Sequence, residues 1–174
     1  MEHAGSSWSV HRLVDEHYAA LYRYAYRLAG SASDAEDLTQ EAFCQAHRKR
    51  EQLRDPARAK AWLFSILRNC YLHRLRAEKH LSFVSLEGQA EPAESAAQHL
   101  PDIDPEQLQS ALAELPEVYR TPVILFYFED FSYRDIAEHM EVPLGTVMSR
   151  LARAKAFLRS RLTAAPTAHP AEGK

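Results

Sequence analysis

Apolar residues in this chain recur at every third or fourth position and nowhere alternate in strand fashion, which restricts the fold to helices. Val10, Leu13, Val14, His17, Tyr18, Leu21, Tyr24, Ala25 and Leu28 form one such stripe, and Gly30 supplies the left-handed stop that commonly ends a helix. SASDAED follows. Ser33 and Glu36 have capping-box spacing there, and Asp34 and Asp37 place negative charge at a helix N-terminus, so a second helix is predicted to run to about Arg50. Asp55-Pro56 reads as a cap with proline in the first turn. It opens a third helix, reaching about Lys79, whose stripe is Ala59, Trp62, Leu63, Ile66, Leu67 and Cys70.

Residues 81–103, LSFVSLEGQAEPAESAAQHLPDI, lose this period and gather Gly, Pro, Ser and acids, the composition of a linker. Asp104-Pro105 restarts helix, with Leu108, Leu112 and Leu115 on one face before Pro116 interrupts. In the apolar helix that follows, PEVYRTPVILFYFED, Pro122 is expected to produce a kink or an early end. The residues after Leu162 read as a disordered tail. The expected architecture is all-α: two small helical domains, 8–80 and 104–162, joined by a flexible acidic linker at 81–103 and followed by a tail at 163–174.

No apolar run approaches the roughly 18 residues of a membrane span, and MEHAGSSWSV lacks a basic segment leading into an apolar one, so a cytoplasmic protein is expected. Cys44 and Cys70 stand far apart, without CxxC spacing, and are expected to pack as small core hydrophobes. The His residues fall in no HExxH or Cys/His cluster, and neither GxxxxGK[ST] nor GxSxG occurs. No enzyme activity, metal or cofactor is expected.

The formal net charge of −3 conceals segregation: residues 44–80 carry +7 and residues 143–174 carry +5, while residues 81–117 carry −8. Salt screens charges beyond about 8 to 10 Å, so each basic block attracts a polyanion on its own account. The second block lies in FSYRDIAEHMEVPLGTVMSRLARAKAFLRSRL, which has helix-turn-helix grammar: a short helix capped by Ser132, a turn at Glu141-Val142-Pro143, and a long helix opening near Gly145-Thr146. Val147, Leu151, Ala154 and Leu158 form its buried stripe, facing Ile136, Ala137 and Met140. Ser149, Ala152, Arg153 and Ala156 then point outward. Small residues let a helix sit deep in a DNA major groove, Arg bonds bidentately to guanine, and Ser149 and Arg150 reach base edges or phosphates. A merely solvated helix mixes charge signs, whereas residues 142–162 hold five cations and no acid.

The first basic block, RKREQLRDPARAKAWLFSILRNCYLHRLRAEK, interleaves cations with aromatics, the combination that tracks phosphates and stacks exposed bases of single-stranded nucleic acid. Trp62, on the apolar stripe, is expected in the core; Phe64 and Tyr71 lie off its centre and stay open to either role. Asn69 either caps a buried backbone group or bonds a base.

Four blocks in order, DAEDLTQEAF (34–43), AWLFSILRN (61–69), ALAELPEVYR (111–120) and FSYRDIAEHMEVPLGTVMSRLARAKAFLR (131–159), resemble the extracytoplasmic-function sigma factors, the compact class of the bacterial sigma-70 family. The resemblance implies promoter recognition as a subunit of RNA polymerase. It implies that Asp34, Asp37, Gln40, Glu41 and Phe43 contact the β′ clamp helices. It places Leu53, Arg54, Arg58, Lys60, Trp62, Asn69, Arg74 and Arg76 on a melted −10 element, with one base flipped at a cost of a few kcal/mol. Tyr133, Thr146, Met148, Ser149, Arg150, Ala152 and Arg153 are placed on the −35 element. Further implied partners are the β flap and an anti-sigma factor, with the linker along the RNA path.

Two positions depart from that pattern. QLRDPARAK has Leu53 where relatives often carry an aromatic, and lacks the Gly of their loop, so the captured base is expected to differ. Met148 stands where many relatives have Lys or Arg, which points to an apolar contact such as a thymine methyl. Nothing resembles the additional domains of primary sigma factors, and two domains are expected to be the whole equipment. The competing readings are a mimic that sequesters an anti-sigma factor and a stand-alone helix-turn-helix regulator; the cations at Arg150 and Arg153 and the DAEDLTQEAF helix favour the sigma factor over both.

Overall fold

A computed structural model describes residues 10–79 and 103–163; the linker up to residue 102 and the tail from residue 164 lie outside the described residues. Seven α-helices are formed among the described residues: α1 (Val10–Ala29), α2 (Ala32–Arg48), α3 (Ala59–Lys79), α4 (Pro105–Glu114), α5 (Glu117–Phe128), α6 (Tyr133–Met140) and α7 (Leu144–Thr163). Two short 3-10 turns, Arg50–Gln52 and Pro56–Arg58, join α2 to α3. The all-α expectation holds, and α7 runs one residue into the segment read as tail.

Local chemistry explains most boundaries. Gly30 ends α1 at φ 82°, with its N–H bonded to Tyr26 O at 2.8 Å. The N-cap of α2 is Ser31, whose hydroxyl accepts from Asp34 N, rather than the predicted Ser33. Gly30 ends its helix so abruptly that the next one starts two residues sooner than the Ser33–Glu36 spacing implied. Asp55 caps the turn before α3 by accepting from Ala57 N, and Asp104 caps α4. α5 continues through Pro122 to Phe128 instead of stopping. Pro122 is buried, and its ring costs the bond that the Val118 carbonyl would accept.

α1, α2 and α3 pack as one unit, and α4 to α7 as another, yet one core runs through both. Tyr24 stacks on Phe64 at 4.7 Å between ring centroids, and Phe64 meets Phe131 of the second unit at 5.3 Å. Phe64 is therefore fully buried, worth about 1.5–3 kcal/mol for such a side chain. Polar groups stitch the same seam. The Arg120 guanidinium donates to Leu28 O at 2.6 Å, Ala113 O at 2.8 Å and Leu115 O at 2.8 Å, so it closes the C-terminal carbonyls of both α1 and α4. It also reaches Tyr71 Oη at 3.2 Å. Gln109 Nε2 donates to Tyr26 O and Arg27 O, both at 3.3 Å, and Arg27 lies 3.6 Å from the Phe128 ring centroid. Arg68 and Glu117, both largely buried, pair at 2.9 Å across the seam.

Candidate polymerase and promoter interfaces

The turn between α6 and α7 is built from three local devices. Ser132 and Asp135 form a capping box at the start of α6. Glu141 takes the left-handed conformation at φ 54°, and Val142 N returns to Ala137 O at 3.0 Å. Pro143 then accepts from Thr146 N at 2.9 Å as α7 begins. Val147, Leu151 and Ala154 are buried against a wall that includes Ile136 and Met140, and Leu158 is half-buried.

The opposite face of α7 is open. Met148 is 52% exposed, Ser149, Ala152 and Arg153 are exposed, and Thr146 and Arg150 are half-buried beside them. Ser149 donates its hydroxyl to Thr146 O at 3.0 Å and keeps its lone pairs free to accept. Tyr133, exposed at the first turn of α6, packs on Phe126 at 4.8 Å. One exposed cation of the acid-free stretch has a partner within the fold: Arg161 pairs with Glu114 of α4 at 2.9 Å.

On α2, Asp37 and Gln40 are exposed, and Phe43 lies at the floor of an apolar cleft of about 660 Å³ with Val14, Tyr18, Gln40, Cys44 and His47. Tyr18, read from the sequence as part of a core stripe, is 46% exposed and stacks on Phe43 at 6.3 Å. Cys44 is exposed in this cleft rather than buried, because it sits one residue beyond Phe43 on the rim of the α2 stripe. Cys70 is buried, and burial raises its thiol pKa to about 11. Asp34 is occupied at the helix start by Ser31, and Glu41 is half-buried against Arg74 at 3.3 Å. Asp37 and Gln40 are thus exposed on α2, with Gln40 beside Phe43 in the cleft, while Asp34 and Glu41 also bond to neighbours within the fold.

The loop before α3 borders a second cleft, of about 770 Å³, with Leu53, Arg54, Arg58 and Trp62 on one wall and Asp135, Glu138, His139 and Glu141 of α6 on the other. Leu53 is only 7% exposed and anchors the loop. Arg54, Asn69 and Arg76 are exposed, while Arg58 pairs with Glu138 and Lys60 Nζ donates to Glu129 O at 2.7 Å. Trp62, expected in the core, is half-buried and lines the cleft, whereas Phe64, left open to either role, is in the core. The helix has two apolar faces, one for its own unit and one for the seam, and a single-stripe reading finds only the first. Tyr71 is likewise buried.

His139 sits at the base of the cleft, 3.1 Å from Ser65 Oγ and 3.5 Å from Tyr24 Oη. Burial, with Arg68 nearby, holds its pKa down to about 3. Glu129 is buried with one carboxylate oxygen unpartnered, and burial raises its pKa.

Residues 13–80 match the family model for sigma-70 region 2, and residues 105–158 match that for sigma-70 region 4. The chain belongs to the extracytoplasmic-function sigma factors of the sigma-70 family. It is 36% identical over 156 residues to the ECF RNA polymerase sigma factor SigL of Mycobacterium tuberculosis, covering 86% of each protein. It is also 36% identical over 168 residues to SigE of Mycolicibacterium smegmatis, covering 90% of this chain and 62% of that protein. The sigma factor RpoE of Bartonella quintana, solved in complex with the anti-sigma factor NepR, superposes with a TM-score of 0.71 at 28% identity, over 88% of this chain and 96% of that one. As a sigma factor, the chain directs RNA polymerase to promoters.

Proposed function

We propose that three surfaces divide this work. The exposed face of α2 around Asp37, Gln40 and Phe43 docks on the β′ clamp helices of core polymerase, the stacked pair Tyr18–Phe43 supplying apolar area and Asp37 the charge. The loop from Gln52 to Trp62 takes the melted −10 strand, with Arg54, Asn69 and Arg76 along its path. The exposed face of α7 enters the major groove at the −35 element. Arg153 meets a guanine or a phosphate, and Met148 meets an apolar base edge. The β flap engages the second helical unit. Polymerase carries out all the chemistry, in the cytoplasm.

The observation that carries this reading is the partition of α7: Val147, Leu151 and Ala154 buried, Met148, Ser149, Ala152 and Arg153 exposed on one acid-free face. An anti-sigma partner is part of the proposal. The overlap with NepR-bound RpoE takes in both helical units, which supports a similar relative placement of the two. The test is association of the purified chain with core polymerase, followed by promoter footprinting. Protection at both elements only when chain and core are combined supports the division of labour, and protection by the chain alone favours a stand-alone regulator.

A further inference from the structure

The turn between α5 and α6 brings two tyrosines to one aromatic seat. Asp130 takes the left-handed conformation at φ 58°, and Phe131 N bonds back to Leu125 O at 3.0 Å, which folds the start of α6 against the end of α5. Phe126, half-buried against the core, then packs on Tyr133 at 4.8 Å between ring centroids and meets Tyr127 edge-on at 5.0 Å. Tyr127 is nevertheless 51% exposed and Tyr133 38% exposed, and neither phenol hydroxyl has a hydrogen-bond partner among the described residues. Their rings are held at one side and their hydroxyls are left over, the division of a side chain suited to a contact that is apolar at one end and polar at the other. Burial of the ring, and then the nearness of Tyr133, raises the Tyr127 phenol pKa, so this hydroxyl is a proton donor at neutral pH. Arg134 beside them is exposed, while Asp135 is turned back to Ser132 N at 3.0 Å in the capping box.

As the first helix of a helix-turn-helix, α6 is the element that crosses the DNA backbone. We propose that Tyr127, at the end of α5, joins Tyr133 in an uncharged clamp whose two hydroxyls donate to backbone phosphate oxygens of the −35 duplex, so that α5 grips DNA beside α6 and α7. This rests on the reading of α6 and α7 as the −35 reader. A phenol holds a phosphate without displacing a counterion and without regard to base sequence. The clamp therefore adds affinity and fixes the seating of the unit, and leaves base choice to α7.

The test uses the full chain bound to purified core polymerase, with duplex fragments that this complex selects from a pool of randomised upstream sequence, titrated over a range of salt. Tyr127→Phe keeps the ring and removes only the hydroxyl. It is expected to weaken binding about three- to tenfold, the worth of one net hydrogen bond, equally on every selected fragment. The melting temperature and the slope of log affinity against log salt stay as they were, because no cation is lost. Tyr127→Arg is expected to recover the affinity at low salt and to steepen that slope by about 0.9, one more phosphate being neutralised. Unchanged binding by Tyr127→Phe, a loss confined to particular sequences, or weaker association with core polymerase in the absence of DNA overturns the clamp. Arg153→Ala on the same fragments separates the two ideas: binding indifferent to Arg153 overturns the −35 reading itself, whereas a loss there beside unchanged binding by Tyr127→Phe overturns the clamp alone.

Discussion

Ser65 and His139 meet across the seam of the two helical units, Oγ to Nδ1 at 3.1 Å. Ser65 gives its hydroxyl proton to Ala61 O at 3.0 Å, so the ring donates from Nδ1 and accepts at Nε2, where Tyr24 Oη stands at 3.5 Å. The imidazole is neutral and has no room to be otherwise, since a charge there would be buried and close to Arg68.

The pH dependence of stability follows. With the folded pKa depressed to about 3 from 6.5, His139 contributes stability that is full above pH 6.5 and is lost as pH falls toward 3, at up to about 1.4 kcal/mol per pH unit. Glu129, raised by burial, runs the opposite way: its contribution is present below pH 4.5 and lost as pH rises through its folded value. Urea unfolding between pH 7 and pH 5, on the unmodified chain and on His139→Gln, isolates the histidine. The variant is expected to show a flatter curve, and parallel curves would remove His139 from the account.

Arg120→Ala removes the donor that closes α1 and α4, leaving the carbonyls of Leu28, Ala113 and Leu115 without it. A loss of roughly 2–3 kcal/mol in unfolding free energy is expected, from the cost of partly buried unsatisfied groups. Arg120→Lys restores only part of it, because an ammonium cannot span three carbonyls as the planar fork does.

Asp37→Ala with Gln40→Ala is expected to weaken association with core polymerase while leaving the melting temperature unchanged, since both side chains are exposed. Phe43→Ala weakens both, because that ring also packs against Tyr18 and the core. Titration of labelled chain with core polymerase, beside a thermal melt, distinguishes the two patterns.

Met148→Arg is expected to change which upstream sequences are preferred and to leave stability nearly untouched, as the side chain is 52% exposed. Selection from a randomised −35 pool, before and after the change, reads this directly; an identical ranking would retire the apolar contact.

The sequence made the helices legible because their ends carry their own chemistry: Gly30, Asp55, Asp104 and Ser132 each act where the pattern places them. The division of α7 was equally readable, since its buried stripe of Val147, Leu151 and Ala154 follows from a single period. What stayed hidden depends on the seam. Phe64 is buried and Trp62 half-open only because a second unit covers α3, and no local spacing announces that partner. Arg120 drew no role from the sequence, because an Arg four residues after Leu-Pro between two helices has meaning only once the end of α1 is known to lie beside it. The resemblance placed Arg58, Lys60 and Arg74 on DNA, and a resemblance of motifs does not show Glu138, Glu129 and Glu41 standing opposite them.

Run-off transcription with purified core polymerase on a promoter library tests the central claim most directly. The account predicts specific transcripts with the chain and none without it. On those same templates Arg153→Ala is expected to weaken initiation by ~1 to 3 kcal/mol in a manner that depends on the upstream element. Transcripts that appear without the chain, or that are indifferent to Arg153 and to the upstream sequence, would contradict it.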